Sequence, residues 1–121
     1  MKEEKFRVIN FIREFIVYVD TYLVNFPKKD IEIKTRIRNL SYDILEDAYK
    51  ANISESANRI ERLDSIIARI KVMDFLLNLC YDKQIINLKR YVKFGEKLDD
   101  IVKYTIGWKK SIKSQKENHD N

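Results

Sequence analysis

The stretch IERLDSIIARIKVMDFLLNLC, residues 60–80, decides the fold class. Ile60, Leu63, Ile67, Ile70 and Leu77 return at intervals of three, four and seven, and Ile66, Met73 and Cys80 form a second row beside them. Apolar side chains at this spacing fall on one face of an α-helix, because the helix turns once every 3.6 residues. The face broadens toward Cys80, so this helix is expected to bury more than a single seam.

The same period extends in both directions. A first helix is predicted from about Glu3 to Leu23, with Phe6, Ile9, Ile12, Ile16, Val19 and Leu23 as its stripe and Phe11, Phe15 and Tyr22 widening it. Phe26-Pro27 ends it, since proline disfavours helical geometry in the residue before it. Asp30 is placed to cap a second helix whose stripe is Ile33, Ile37, Leu40, Ile44 and Ala48. Ser54 is the expected N-cap of the third. Tyr81 to Gln84 reads as the next link, followed by a fourth helix from about Ile86 to Ser111 through Leu88, Tyr91, Val92, Leu98, Ile101, Val102 and Ile106. Gly95, inside that helix, is read as permitting a close helix crossing.

Composition agrees with long helices and few turns. The 121 residues contain only two glycines and one proline, too few for the tight turns of a sheet-rich fold. Hydrophobic and charged residues stand at 45% and 36%, which suits a folded domain with its own core. The expected architecture is all-α, an up-down-up-down four-helix bundle over residues 1–113, followed by a polar, disordered tail over 114–121. One cysteine, no signal peptide and no apolar run long enough for a membrane span make a cytoplasmic protein the default.

Catalytic constellations are sought and not found. The one histidine, His119, lies in the polar tail, which removes Ser-His and Cys-His pairs and histidine-based metal sites. Cys80 falls on an apolar face, as buried structural thiols do. There is no Gly-rich phosphate loop and no Glu-x-x-His pair of the di-iron bundles. Asp43, Glu46 and Asp47 read as a solvated cluster, whereas Asp74 falls in register with the seam and calls for an arginine partner or a subunit interface. No catalytic residue, metal or cofactor is therefore expected, and the chain is read as a non-enzyme.

Charge points to a macromolecular partner instead. Residues 1–82 carry equal numbers of basic and acidic side chains, so the whole excess of +5 lies in residues 83–121. An imbalance of this kind suits an acidic partner such as nucleic acid. Lys89, Lys93 and Lys97 form one helical ridge with Arg90 at its edge. Arg62 and Arg69 flank the seam of the third helix, with Arg59 leaning into it. Arg36 and Arg38 belong to the second helix, and Lys109 and Lys110 close the fourth. No compact sequence-reading motif is present, so contact by charge and shape is the expected mode, without base specificity.

The fourth helix ends in Asp100-Ile101-Val102-Lys103-Tyr104-Thr105-Ile106-Gly107-Trp108-Lys109-Lys110-Ser111. Gly107 is expected to let Trp108 pack against another backbone and lock this end. Here the chain resembles the accessory variability determinant proteins of diversity-generating retroelements, whose last helix ends in Gly-Trp followed by a basic residue. Phe26-Pro27-Lys28, Ile37-Arg38, Asp43-Ile44-Leu45, Leu63-Asp64, Ile70-Lys71 and Lys89-Arg90-Tyr91 resemble further parts of that family. Asp100-Ile101-Val102 departs from the family's Glu-Ile-Gly, and Ile106-Gly107 from its doubled glycine. The resemblance implies a barrel-like homopentamer that binds a reverse transcriptase and its template RNA or cDNA and catalyses nothing. By position it implies that Arg38, Lys89, Arg90, Lys109 and Lys110 touch nucleic acid or polymerase. The alternative is a scaffolding bundle acting by protein–protein assembly, of the kind encoded within ribosomal RNA insertions. Broad apolar faces on the first and third helices favour oligomerisation in either case.

Overall fold

Helical periodicity becomes four α-helices in the computed structural model, which describes residues 2–120, with side chains described for residues 5–115. Helix α1 spans Lys2–Tyr22, α2 Ile31–Ile53, α3 Ser56–Asp82 and α4 Leu88–Asp120, and a 3₁₀ turn at Lys28–Asp30 leads into α2. No strand occurs among the described residues. Each helix packs on its neighbours in sequence, α1 also packs on α4, and the backbones of the two diagonal pairs stay apart. Cross-links fix the directions. Asp20 meets Arg38, Asp47 meets Arg62, Asp64 meets Lys109, and Tyr18 meets Arg90. Every adjacent pair is therefore antiparallel, and the chain is an up-down-up-down four-helix bundle.

The core repeats every seven residues. Leu63, Ile66, Ile70, Met73, Leu77 and Cys80 are buried on α3, and Phe94, Leu98, Ile101, Thr105, Trp108 and Ile112 on α4. Alternating steps of three and four keep one narrow face inward along nearly parallel axes. Val8, Ile12, Phe15 and Val19 do the same on α1, and Leu23 is buried just beyond its end. This rotates several faces from their expected setting. Phe6 is 55% exposed, and Leu88, Val92 and Ile106 lie on the outside of α4. Asp74 is also exposed, so it neither pairs across a seam nor interrupts one. Thr105 is fully buried, and its hydroxyl donates to the Ile101 carbonyl at 2.7 Å, which satisfies it within its own helix.

The links are held by side chains other than those expected. Asp30 makes no capping bond to α2. Its buried carboxylate turns to Lys83 at 3.2 Å and ties the start of α2 to the end of α3. Ser54 closes α2 rather than opening α3, its hydroxyl bonding the Lys50 carbonyl, and Glu55 occupies the N-cap position with no side-chain cap bond. Arg59 secures this corner: its guanidinium donates to the carbonyls of Ala51 and Ser54, each at 2.8 Å. A cation at a helix C-terminus satisfies orphan carbonyls and opposes the helix dipole. Phe26 is half-buried against the core and Pro27 is exposed, with φ −60° and ψ 143° starting the 3₁₀ turn.

At the third link Gln84 adopts φ 62°, with Ile85 N–H donating to the Cys80 carbonyl and Gln84 N–H to that of Tyr81. This is a Schellman ending with glutamine where glycine is usual. Asn87 then caps α4 by accepting the Arg90 N–H at 2.8 Å, so that the helix begins two residues after Ile86, the expected start. The tail expected over 114–121 is helical to Asp120, since Lys, Gln and Glu carry helix propensity without an apolar stripe. The side chains from 116 onward, His119 included, lie outside the described residues.

Gly95 does not serve a close crossing, because a Cβ placed there meets nothing within 4 Å. Gly95→Ala is expected to stabilise the bundle by about 1 kcal/mol, the helix-propensity difference between the two residues. Urea unfolding checks this directly: an unchanged or lowered midpoint would mean that the position holds a constraint other than helix propensity.

Candidate nucleic-acid interface

The C-terminal turns of α1 and the N-terminal turns of α4 lie side by side and enclose a groove of about 760 Å³ lined by Tyr18, Tyr22, Leu88, Lys89, Arg90, Val92, Lys93 and Glu96. Tyr18 and Tyr22 are four apart and therefore stand together on α1, with ring centroids 4.5 Å apart. Buried Phe94 props Tyr18 from below in an edge contact at 4.9 Å, and itself meets buried Phe15 at 6.0 Å. The groove thus stands on the core.

Cations are seated on these rings. The Arg90 guanidinium lies 3.6 Å from the centroid of Tyr22 and donates to the Tyr18 hydroxyl at 2.6 Å. Lys97 places its ammonium 4.7 Å from the Tyr18 centroid. Such contacts orient a cation while leaving its charge available. The bond to Tyr18 raises the Arg90 pKa above the usual arginine value, so the group is charged at every working pH. Lys89 and Lys93 follow on the exposed edge, where Lys93 also approaches Glu96 at 3.7 Å. Chemically the arrangement offers fixed positive charge beside exposed aromatic and aliphatic surface.

The other basic candidates lie elsewhere. Arg38 bridges α2 to Asp20 of α1 at 3.2 Å. Arg62 and Arg69 both reach Asp47, each at 3.4 Å, and Ser65 donates to the same carboxylate at 2.8 Å. Asp47 is 3% exposed. Its reading as part of a solvated cluster is therefore wrong; it occupies the inward position three beyond Ile44, and the two arginines are its counter-charges. Arg69 also approaches Asp43 at 3.7 Å, and exposed Arg36 lines a small polar hollow beside them. Lys109 pairs with Asp64 of α3, and Lys110 is exposed. Trp108 is buried on the core face with half-buried Gly107 preceding it. The structure thus gathers Lys89, Arg90, Lys93 and Lys97 into one site and distributes the remaining basic candidates over the other faces.

Sequence reasoning misses Tyr18, although its i,i+4 spacing to Tyr22 is a usable signal, and it assigns Leu88 and Val92 to the core. Across the bundle a second, apolar groove on α2 is lined by Tyr42, Leu45, Tyr49 and Ile53, and Ile53 is 84% exposed. Burial pushes the Cys80 thiol up to about 11, which keeps it protonated near neutral pH. Among the described residues no three His, Cys, Asp or Glu side chains converge as metal ligands, and no helix is long and apolar enough to cross a membrane. Compared with known proteins, the chain matches no family model, no curated protein and no solved structure.

Proposed function

We propose that this chain is a non-catalytic nucleic-acid-binding bundle that serves a cytoplasmic diversity-generating retroelement, where it contacts the reverse transcriptase and its template RNA or cDNA. The observation that carries the binding part is the α1–α4 groove, where Arg90 and Lys97 are held on tyrosine rings beside exposed Lys89 and Lys93. Phosphates are the natural complement of such a surface, and counterion release makes the contact salt-dependent. The polymerase partner rests on the Gly107-Trp108 and Phe26-Pro27 resemblance. Exposed apolar residues, Tyr42, Tyr49 and Ile53 on α2 with Val72 and Phe75 on α3, support assembly into an oligomer, and its reading as a homopentamer rests on the same resemblance. They equally support the second reading, a scaffold of the kind encoded within ribosomal RNA insertions, which would bind protein alone.

Anisotropy titrations with labelled RNA at several salt concentrations separate the two readings. On the first, affinity falls linearly on logarithmic axes as salt rises. Lys89→Glu/Lys93→Glu then weakens binding by at least about tenfold and reduces the slope by about two, one for each phosphate that is no longer neutralised. Absence of RNA binding at moderate salt would leave the scaffold. Light scattering during size exclusion tests assembly: about five times the 14.6 kDa chain mass supports the pentamer, and a monomer rejects it.

A further inference from the structure

We infer that the α1–α4 groove takes a single strand in preference to a duplex, with Leu88 and Val92 as the surface for its unstacked bases. The inference rests on the nucleic-acid reading above and adds the form of the ligand. Two rows run side by side along α4. Lys89 and Lys93 make a basic row, and Leu88 and Val92 make an apolar row displaced by one residue. Positions four apart on a helix are separated by about 6 Å along its axis, so both rows advance together. Leu88 and Val92 are 56% and 48% exposed. Both stay wet in the isolated chain, although the core side of the same helix is fully packed.

A duplex presents phosphates outward and keeps its base faces stacked within. Against this groove it would engage the lysines and leave the apolar row in water. A single strand offers both phosphates and base faces, and charge tracking with stacking on side chains is how such strands are held. Arg90 adds a planar cation already fixed against Tyr22 and Tyr18, so little ordering is required of it when the strand arrives. Glu96 continues the row one turn beyond Val92 and approaches Lys93 at 3.7 Å, so the apolar row ends there.

The test compares anisotropy of a labelled oligouridine with that of a blunt RNA duplex of equal length, using the full chain. The strand is expected to bind about tenfold more tightly, on the scale of one stacked base. Leu88→Ser/Val92→Ser, at exposed positions outside the core, is expected to weaken the strand by about tenfold and so abolish that preference. Lys89→Gln/Lys93→Gln is expected to weaken both ligands. Equal affinity for strand and duplex, with the serine variant behaving as the parent, overturns this inference while leaving the nucleic-acid reading intact. Failure to bind either ligand overturns both.

Discussion

Replacing both arginines that hold Asp47, as Arg62→Met/Arg69→Met, is expected to destabilise the bundle by about 3–5 kcal/mol. The carboxylate is almost inaccessible, and the double variant would leave it only the Ser65 hydroxyl. A buried charge without counter-charge is among the most costly single defects in a folded chain, because water can no longer solvate it. Each single variant should cost about 1–2 kcal/mol, since the remaining arginine still faces the carboxylate and both guanidiniums are partly solvated. The two effects should therefore be strongly non-additive. Adding Asp47→Leu to the double variant should restore most of the stability, because the α2–α3 seam then closes as an apolar contact. Thermal melts followed by circular dichroism give the order. If the double variant melts with the parent, the arginines are not what makes burial of Asp47 tolerable.

Phe94→Ala should also cost about 3–5 kcal/mol, as for other fully buried phenylalanines, and its second effect is the more informative. Phe94 is fully buried and touches Phe15 below and Tyr18 above. Removing the ring takes away the prop of Tyr18, which accepts from Arg90 and lies under Lys97. Affinity for RNA should then fall although no residue lining the groove has changed. Ile44→Ala is the control, since Ile44 is equally buried but lies on α2, whose backbone does not approach that of α4. It should lose stability, by about 2–5 kcal/mol, while keeping its affinity at temperatures where both variants are folded. An equal fall of affinity in the two variants would mean that the groove depends on general stability alone.

Much of the architecture was legible in residues 60–80 and their counterparts, because a run of long apolar side chains at helical spacing has few places to go except a bundle core. The rotation of each helix was less legible. Phe6, Leu88 and Val92 obey the same spacing as the buried residues, and only packing decides which of two adjacent rows turns inward. The register of α3 shows why: choosing Ile67 over Ile66 brings Asp74 onto the seam, whereas the observed register exposes Asp74 and leaves the buried acid to α2 as Asp47. Acidic residues next to one another read as hydrated unless their helix phase is known. The basic ridge Lys89–Lys93–Lys97 was visible because like charges at i,i+4 need no tertiary information. Tyr18 and Tyr22 could not be joined to it, since nothing local tells which helix lies beside α4. Gln84 was equally hidden, as a glutamine in left-handed geometry carries none of the signal that a glycine would.

The ring of contacts has a kinetic consequence. Three of its four seams join helices that are adjacent in sequence and can form as hairpins, whereas the fourth, α1 against α4, joins the two ends of the chain. Arg90 and Tyr18 are 72 positions apart, and chain entropy makes such closures the late events of folding. The groove is thus assembled by the last seam to close and is the first to come apart when that seam opens. A strand lying across it would act as a latch: by mass action it stabilises the closed ring, so bound nucleic acid should slow the exchange of amide hydrogens in α1 and α4 more than in α2 and α3.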